Sequence, residues 1–447
     1  MFNITKFKII DYFTKTDTVN VYNKCLQEEY LPREKILDLQ FEKLKALLVH
    51  AYIKTVYYKD LFDKVGFNPN KMNDFEDIEK IPIQTKQDFR KHLEEVKSSD
   101  FEKYGPRGHR TSGSTGEPFK IYKSRLTHSY LRALNYAAWH QKGYNLGDEF
   151  ASFSGGSLFH GSVSSLQKVY TYLQNCTQLP SYHLNKEYFL AYLERLQTKR
   201  IKFIYGYASV LNDFATEIKD RKMDFSFVNG LFTSSDMLYP AQRKLIEEVI
   251  GTEIIDIYGN PESGLISYEC SEHSGYHYGM MNSYVEITDE NGKNIPENKQ
   301  GKVIVTSLNS QCFPLIRYDN GDLAALTKEK CKCGRELLKI NNLGGRSRDY
   351  VILKDGRHIH GAFFNHLKSV YSAEWLNRYH IIQKSNDELI FQCLVNRTPS
   401  ENELKEIKNE ISAGTNNLIK IETKIVEEIP ISRMGKYKLI SREFENN

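Results

Sequence analysis

Phe203-Ile204-Tyr205-Gly206, a helical pattern from about Ala208 to Asp220, Val228 to Phe232, a second helical pattern from Pro240 to Val249, and Ile254-Ile255-Asp256-Ile257-Tyr258-Gly259 follow one another along the chain. Apolar runs of strand length alternate here with segments of helical length, and this alternation argues a layered α/β domain. Ligands of such domains usually lie at the carboxyl ends of the strands.

Towards the N-terminus, Leu37, Phe41, Leu44, Leu48 and Ala51 recur at 4-3-4-3 spacing and mark the core-facing side of an amphipathic helix. Residues 71–95 read as a second helical region, broken at Ile81-Pro82. After residue 280 the texture turns β-rich. Tyr284-Val285-Glu286-Ile287, a polar turn, and Gly301-Lys302-Val303-Ile304-Val305-Thr306 form a hairpin-like pattern. Paired glycines in Leu343-Gly344-Gly345-Arg346 suggest a boundary, giving an N-terminal domain over 1–345 and a small α+β domain over 346–447. In the second unit, Lys354-Asp355-Gly356 signals a hairpin between 350–353 and 357–360. A helix near 361–371, strands near 378–384 and 388–395, a helix near 401–413 and a strand near 421–429 should follow.

At 447 residues the chain exceeds what one hydrophobic core usually holds, so more than one domain is expected. Its 61 basic and 57 acidic residues leave a net charge of +4 with no long block of one sign, too weak a bias for nucleic-acid binding. Lys6, Lys8, Asp11, Lys15 and Asp17 interrupt any apolar leader, and no stretch approaches membrane-spanning length, so no membrane insertion is expected. Seven scattered cysteines fit reduced thiols in a cytoplasmic protein.

One segment carries more chemistry than its length suggests. Thr111-Ser112-Gly113-Ser114-Thr115-Gly116-Glu117-Pro118 can turn backbone N–H groups and hydroxyls onto a phosphate. No lysine follows its second glycine, and Phe119-Lys120-Ile121-Tyr122 reads as a strand, so this is not a loop that opens a helix. A plain surface Ser/Gly turn is the competing reading.

Four more motifs stand in a fixed order: Tyr258-Gly259-Asn260-Pro261-Glu262, Arg317-Tyr318-Asp319-Asn320-Gly321-Asp322, Gly345-Arg346-Ser347-Arg348-Asp349 and Ser432-Arg433-Met434-Gly435-Lys436. With the hydroxyl-glycine loop, the chain resembles the adenylate-forming superfamily of acyl-CoA ligases and luciferases, over nearly its whole length. It looks most like the phenylacetate–CoA ligase and capsular-polysaccharide-type branch, through Leu48-Val49-His50-Ala51-Tyr52, Ile81-Pro82-Ile83-Gln84-Thr85-Lys86 and Cys331-Lys332-Cys333-Gly334-Arg335.

The resemblance implies a large multi-subdomain α/β N-terminal domain and a small mobile α+β C-terminal domain. It implies ATP and Mg²⁺, with a carboxylate attacking the α-phosphorus to give an acyl-adenylate and pyrophosphate. Thr111, Ser112, Gly113, Ser114, Thr115 and Gly116 would hold the phosphates, and Glu262 would hold Mg²⁺. Tyr258, with Gly259 and Asn260, would lie against the adenine, Ser235 and Asp236 would stand on the adenine-side strand, and Asp322 would bind the ribose hydroxyls. Arg346 would contact the nucleotide from the linker, Arg348 would be the pivot, and Lys436 would bridge carboxylate and α-phosphate. Phe153, Gly155, Tyr205 and Gly206 would line the acyl pocket, although aromatic residues there serve core packing equally well. Pro261 stands where the family usually has Thr or Ser, Arg348 where it has Asp or Lys, and Ser234-Ser235-Asp236 where it often has Gly-Gly-Glu.

Cys331 and Cys333 offer two thiolates, and Cys270, with His273 and His277 following, offers the rest of a four-ligand set for structural zinc; free thiols and surface histidines are the alternative. His277 fills the family's Gly-x-His position, which gives the set Cys270, His277, Cys331 and Cys333. Three functions remain open. The first is activation of a small-molecule carboxylic acid and its transfer to an amine in polysaccharide or specialised biosynthesis. The second is transfer to coenzyme A, and the third is a catalytically inactive nucleotide-binding scaffold.

Overall fold

The computed structural model describes residues 2–111, 119–154, 165–180, 186–235, 237–343, 350–365, 367–371, 373–429 and 439–444. Its centre is an 11-stranded sheet. From one edge the order is Ser283–Thr288, Gly301–Ser307, Tyr318–Thr327, Lys339–Asn341, Tyr276–Tyr278, Gly264–Glu269, Ile254–Asn260, Gly230–Ser234, Phe203–Gly206, Phe150–Ser154 and Cys176–Pro180. The last five strands are mutually parallel and the others pair antiparallel. Helices Ala208–Arg221 and Pro240–Ile250 connect the parallel strands as the alternation of apolar runs requires, the second starting on a proline at its first position and ending on Gly251 at φ +82°. The strand expected over 228–232 lies two residues later, at Gly230–Ser234. Residues 225–228 make a turn instead, closed by the Val228 N–H on the Phe225 carbonyl at 3.0 Å.

Helix Arg33–Lys54 buries Leu44, Leu48 and Ala51 as its spacing demands, together with Ile36, Gln40 and Leu47, while Leu37 and Phe41 are half-buried at its margin. The helical region expected over 71–95 reduces to a short 3-10 turn, Glu76–Lys80, and a helix, Lys86–Lys91. Local side-chain bonds explain the loss: Asp77 takes the Asn73 N–H at 2.9 Å, and Asp74 takes the Asp77 N–H at 3.0 Å. Such bonds offer the backbone an alternative to the helix ladder.

Between these pieces the segment 81–86 is strapped to the β-rich region. The Gln84 N–H donates to the Arg317 carbonyl at 2.8 Å, and the Asp319 N–H donates to the Gln84 carbonyl at 2.9 Å. Arg317 itself is 1% exposed. Its guanidinium meets both Glu286 oxygens, at 3.1 and 2.9 Å, and donates to the carbonyls of Ile81 and Gly292. The expected 284–306 hairpin forms with Tyr284 opposite Thr306.

The C-terminal unit is a four-stranded sheet ordered Lys420–Val426, Glu388–Val395, Leu376–Ser385, Ile440–Arg442, with helix Glu401–Gly414 packed on it. The expected 350–360 hairpin forms between Tyr350–Ile352 and His358–His360. The helix expected over 361–371 is two short pieces, Gly361–Asn365 and Lys368–Tyr371, and the edge strand Ile440–Arg442 has no counterpart in the sequence reading. Among the described residues, this unit meets the large domain through polar and aromatic contacts. Asn212 donates to Asn377 at 3.2 Å, Lys244 pairs with Glu374, and the Tyr239 ring lies 5.8 Å from that of Tyr379.

Candidate functional site

Three neighbouring parallel strands, Phe203–Gly206, Gly230–Ser234 and Ile254–Asn260, end on one side of the sheet. Tyr205 shares a 2.6 Å hydrogen bond with Ser234, whose hydroxyl lies 3.3 Å from that of Ser235. Ser235 turns the chain at φ +78°, a conformation few side-chain-bearing residues adopt. Tyr258, at the end of the next strand, donates to an Asp322 carboxylate oxygen at 2.7 Å and accepts from the Asn320 amide at 2.7 Å. Three strands separate Tyr258 from Asp322 in the sheet order. A flat sheet would hold them roughly 19 Å apart, well beyond the reach of both side chains, so the sheet must curl strongly to join them. The curl makes one surface of the proposed adenine-side and ribose-side residues.

Gly259, Asn260 and Glu262 occupy a tight antiparallel turn into Gly264–Glu269. A Cβ on Gly259 would come within 2.3 Å of the Gly264 carbonyl, so only glycine fits there. Asn260 accepts the Ser263 N–H at 2.6 Å, while its own amide nitrogen and the Ser263 hydroxyl are buried with no hydrogen-bond partner among the described residues. Orphaned polar atoms beside an acid mark a place prepared for a polar ligand.

Glu262 is 7% exposed and meets the Lys86 ammonium at 3.2 Å. The same ammonium lies 5.4 Å from the Phe119 ring, and Phe119 pairs with Thr111 across the hairpin Arg107–Thr111 and Phe119–Lys123. Glu262 therefore stands at the base of the hairpin that residues 112–118 connect. A second cation, Lys123, donates to the Pro261 carbonyl at 2.6 Å; burial pulls its ammonium down to about 8, against the opposing pull of Glu262. Lys86 and Lys123 were not singled out as site residues by sequence reading. Lys86 lies in the quoted Ile81–Lys86 motif, but only the strap on Arg317 delivers it to Glu262.

Of the other expected residues, Ser112, Gly113, Ser114, Thr115, Gly116, Gly155, Asp236, Arg346, Arg348 and Lys436 lie outside the described residues. Phe153 requires a correction. It is fully buried, its ring 5.4 Å from that of Phe214, and a Cβ on Gly206 would meet it at 3.1 Å. It packs the core beneath the strand ends, the alternative that the sequence left open.

Away from this surface, Cys270, His277, Cys331 and Cys333 bring four donor atoms within 4.8 Å of one another. The Cys270 and Cys331 sulfurs are 3.5 Å apart, and Cys333 sulfur is 3.3 Å from His277 Nε2. Strand pairing sets the arrangement, with His277 opposite Tyr268 on one side and Lys339 on the other. His273 turns away, to Glu269 at 3.4 Å. Burial, with the charges of Arg335 and Lys339, holds the His277 imidazole neutral, down to about 3. Burial pushes the Cys270 thiol up to about 12; at Cys331 burial is outweighed by hydrogen bonds from Ser274 and the Cys333 backbone, and the thiol is lowered. Three sulfurs and a neutral imidazole at this spacing fit a closed tetrahedral zinc site.

Comparison with known proteins places these features in context. Residues 351–443 match the CapK C-terminal domain. The chain is 28% identical over 343 residues to a phenylacetate-coenzyme A ligase of Thermus thermophilus, covering 73% of this chain and 74% of that protein. It is 21% identical over 408 residues to protein CapK of Staphylococcus aureus, covering 90% and 88%. The fold is that of 2-hydroxyisobutyryl-CoA ligase. The TM-score is 0.74 at 19% identity for its postadenylation state with 2-HIB-AMP, covering 93% of this chain and 91% of that one. Against the thioesterification state of the same enzyme the TM-score is 0.61.

Proposed function

We infer that this chain, homologous to the phenylacetate-coenzyme A ligases and CapK, is an adenylate-forming ligase that activates a carboxylic acid with ATP and passes the acyl group to an acceptor. One observation supports the reading: residues distant in sequence meet in pairs. Tyr258 and Asp322 are hydrogen-bonded, and Glu262 with Lys86 sits at the root of the 112–118 connection.

Both reactants are anions, so the site must neutralise charge while aligning them. Ser112 to Gly116 would take the phosphates through backbone N–H groups and hydroxyls. Asp322 would accept the ribose hydroxyls, with Tyr258 holding the carboxylate in place and presenting its ring to the base. Ser235 and Asp236 would flank the base. Glu262 would hold Mg²⁺, which supplies charge neutralisation at the phosphate oxygens. Lys86 is released from Glu262 as triphosphate arrives and adds a second positive charge to the phosphates. Lys436, from the small domain, would bridge the attacking carboxylate and the α-phosphate, with Arg346 and Arg348 in the linker that delivers it. Cys270, His277, Cys331 and Cys333 would hold a structural zinc that ties the loop after Glu269 to the turn at 331–334.

The acceptor divides two readings. Higher identity to phenylacetate-coenzyme A ligases supports coenzyme A, whereas the C-terminal domain and the longer span matched in CapK support an amine of polysaccharide biosynthesis. The experiment is acid-dependent release of AMP from ATP, with aromatic, aliphatic and sugar acids, each with and without coenzyme A. Release of AMP with any acid supports the ligase, and its dependence on coenzyme A selects the acceptor. Release of ADP, or no nucleotide cleavage with any acid, refutes the reading.

A further inference from the structure

Helix Phe2–Thr14 breaks the usual rule for a surface helix. Its inner side buries Phe7 and Ile10, at 1% and 2% exposure, but its outer side is apolar too: Ile9, Tyr12 and Phe13 are 39%, 78% and 75% exposed. Thr5 and Lys8 are the exposed polar residues between and beside them, so large apolar side chains make up most of the outer side. Helix Ser165–Leu173 packs beside it and adds Val169 and Tyr172, at 55% and 70% exposure. The two are joined at the surface by the Lys6 ammonium, 4.7 Å from the Tyr172 ring centre. These five side chains are half of the ten exposed large apolar residues among the described residues, so they are concentrated and not scattered.

Lysines outnumber acids around the patch. Lys8, Lys15 and Lys168 are exposed at its margin. The one acid of helix Phe2–Thr14, Asp11, is turned to its own chain, accepting the Thr16 hydroxyl at 2.7 Å and the Val19 N–H at 3.0 Å. Asp17, beyond the helix end, bonds the Asn20 amide at 2.6 Å. An aromatic and aliphatic crown ringed by lysines is the pattern of a segment lying in the headgroup region of an anionic membrane.

We propose that helices Phe2–Thr14 and Ser165–Leu173 form a peripheral docking face for anionic lipid bilayers. Ile9, Tyr12, Phe13, Val169 and Tyr172 enter the headgroup layer, and the flanking lysines pair with lipid phosphates. No helix of the described residues is long and apolar enough to cross a membrane, so the contact is with the surface.

Flotation of the full chain with vesicles tests this. Vesicles of equal parts phosphatidylglycerol and phosphatidylcholine should carry the protein, less so as salt is raised, and pure phosphatidylcholine vesicles should not. Ile9→Ser/Tyr12→Ser/Phe13→Ser should lower the bound fraction about tenfold or more, and Lys8→Glu/Lys15→Glu should do the same. Both variants should keep the wild-type circular dichroism melt, since the altered side chains are exposed. Absence of flotation with anionic vesicles overturns the proposal, as does equal binding to neutral ones. Self-association that the triple variant abolishes, without lipid binding, assigns the face to a second copy and overturns it as well.

Discussion

Replacing Arg317 with methionine should destabilise the protein by about 3–5 kcal/mol at pH 8, because it leaves the Glu286 carboxylate buried without its partner. The structure sets that magnitude. Both residues are at most 2% exposed, and the pair is bidentate. The guanidinium also serves the Ile81 and Gly292 carbonyls, which adds to the loss. Burial pushes the Glu286 carboxyl up to about 7 even against the opposing pull of Arg317. Without Arg317 it rises further, so acid supplies the proton that makes the lone carboxyl cheap to bury. A raised folded-state value contributes stability below the unfolded value and loses it as pH rises through the folded one. The penalty for Arg317→Met should therefore be smaller at pH 5 than at pH 8, by about 1 kcal/mol or more. Arg317→Met/Glu286→Leu should recover most of the stability, since removing both charges avoids the orphan. Urea unfolding at the two pH values measures all three. A single variant within about 1 kcal/mol of wild type at pH 8, or a double variant weaker than the single, would refute the reasoning.

Tyr258→Phe removes the hydroxyl that holds Asp322 and should raise the KM for ATP about five- to tenfold with little change in kcat, measured by steady-state AMP release. Lys86→Met should lower the melt, because Glu262 loses its partner, and lower kcat for adenylation about a hundredfold, as expected for loss of one charge aimed at the reacting phosphates; a lowered melt with an unchanged kcat would make Lys86 a mere partner of Glu262. Cys333→Ser should abolish a one-to-one zinc content and lower the melting temperature by about 5 °C or more, read by metal analysis and calorimetry. His277 stays neutral down to about 3, so thiol protonation governs the acid limb, and a chelator should strip zinc faster at pH 5 than at pH 7.5.

Periodicity made the parallel half of the sheet legible: strand Phe203–Gly206 and helices Ala208–Arg221 and Pro240–Ile250 lie where apolar spacing put them. Residues 71–95 were not legible in the same way, because Asx bonds from Asp74 and Asp77 override a helical apolar pattern and act at single positions. The four metal-type residues could be grouped from sequence because cysteine is rare and the Cys-x-Cys turn is compact. Which histidine joins them depends on strand register, which brings His277 inward and leaves His273 on Glu269. Tyr258 and Asp322 were legible as separate motifs, but their hydrogen bond depends on a sheet curl that no local pattern encodes. Lys86 was hidden for a related reason. A lysine on a short polar helix looks like any solvated lysine until the Gln84–Arg317 strap brings it to Glu262. Phe153 failed in the opposite direction, since a strand-end aromatic reads alike whether it lines a cleft or fills the layer beneath it.

The central claim is that the small domain carries a lysine to a nucleotide held on the large one. ATP–pyrophosphate exchange by the wild-type chain and by Lys436→Ala, across a panel of carboxylic acids, measures it most directly. The account predicts acid-dependent exchange that falls about a hundredfold or more in the variant while ATP binding persists. Exchange that is undiminished in Lys436→Ala, or that the wild type supports with none of the acids, would contradict it.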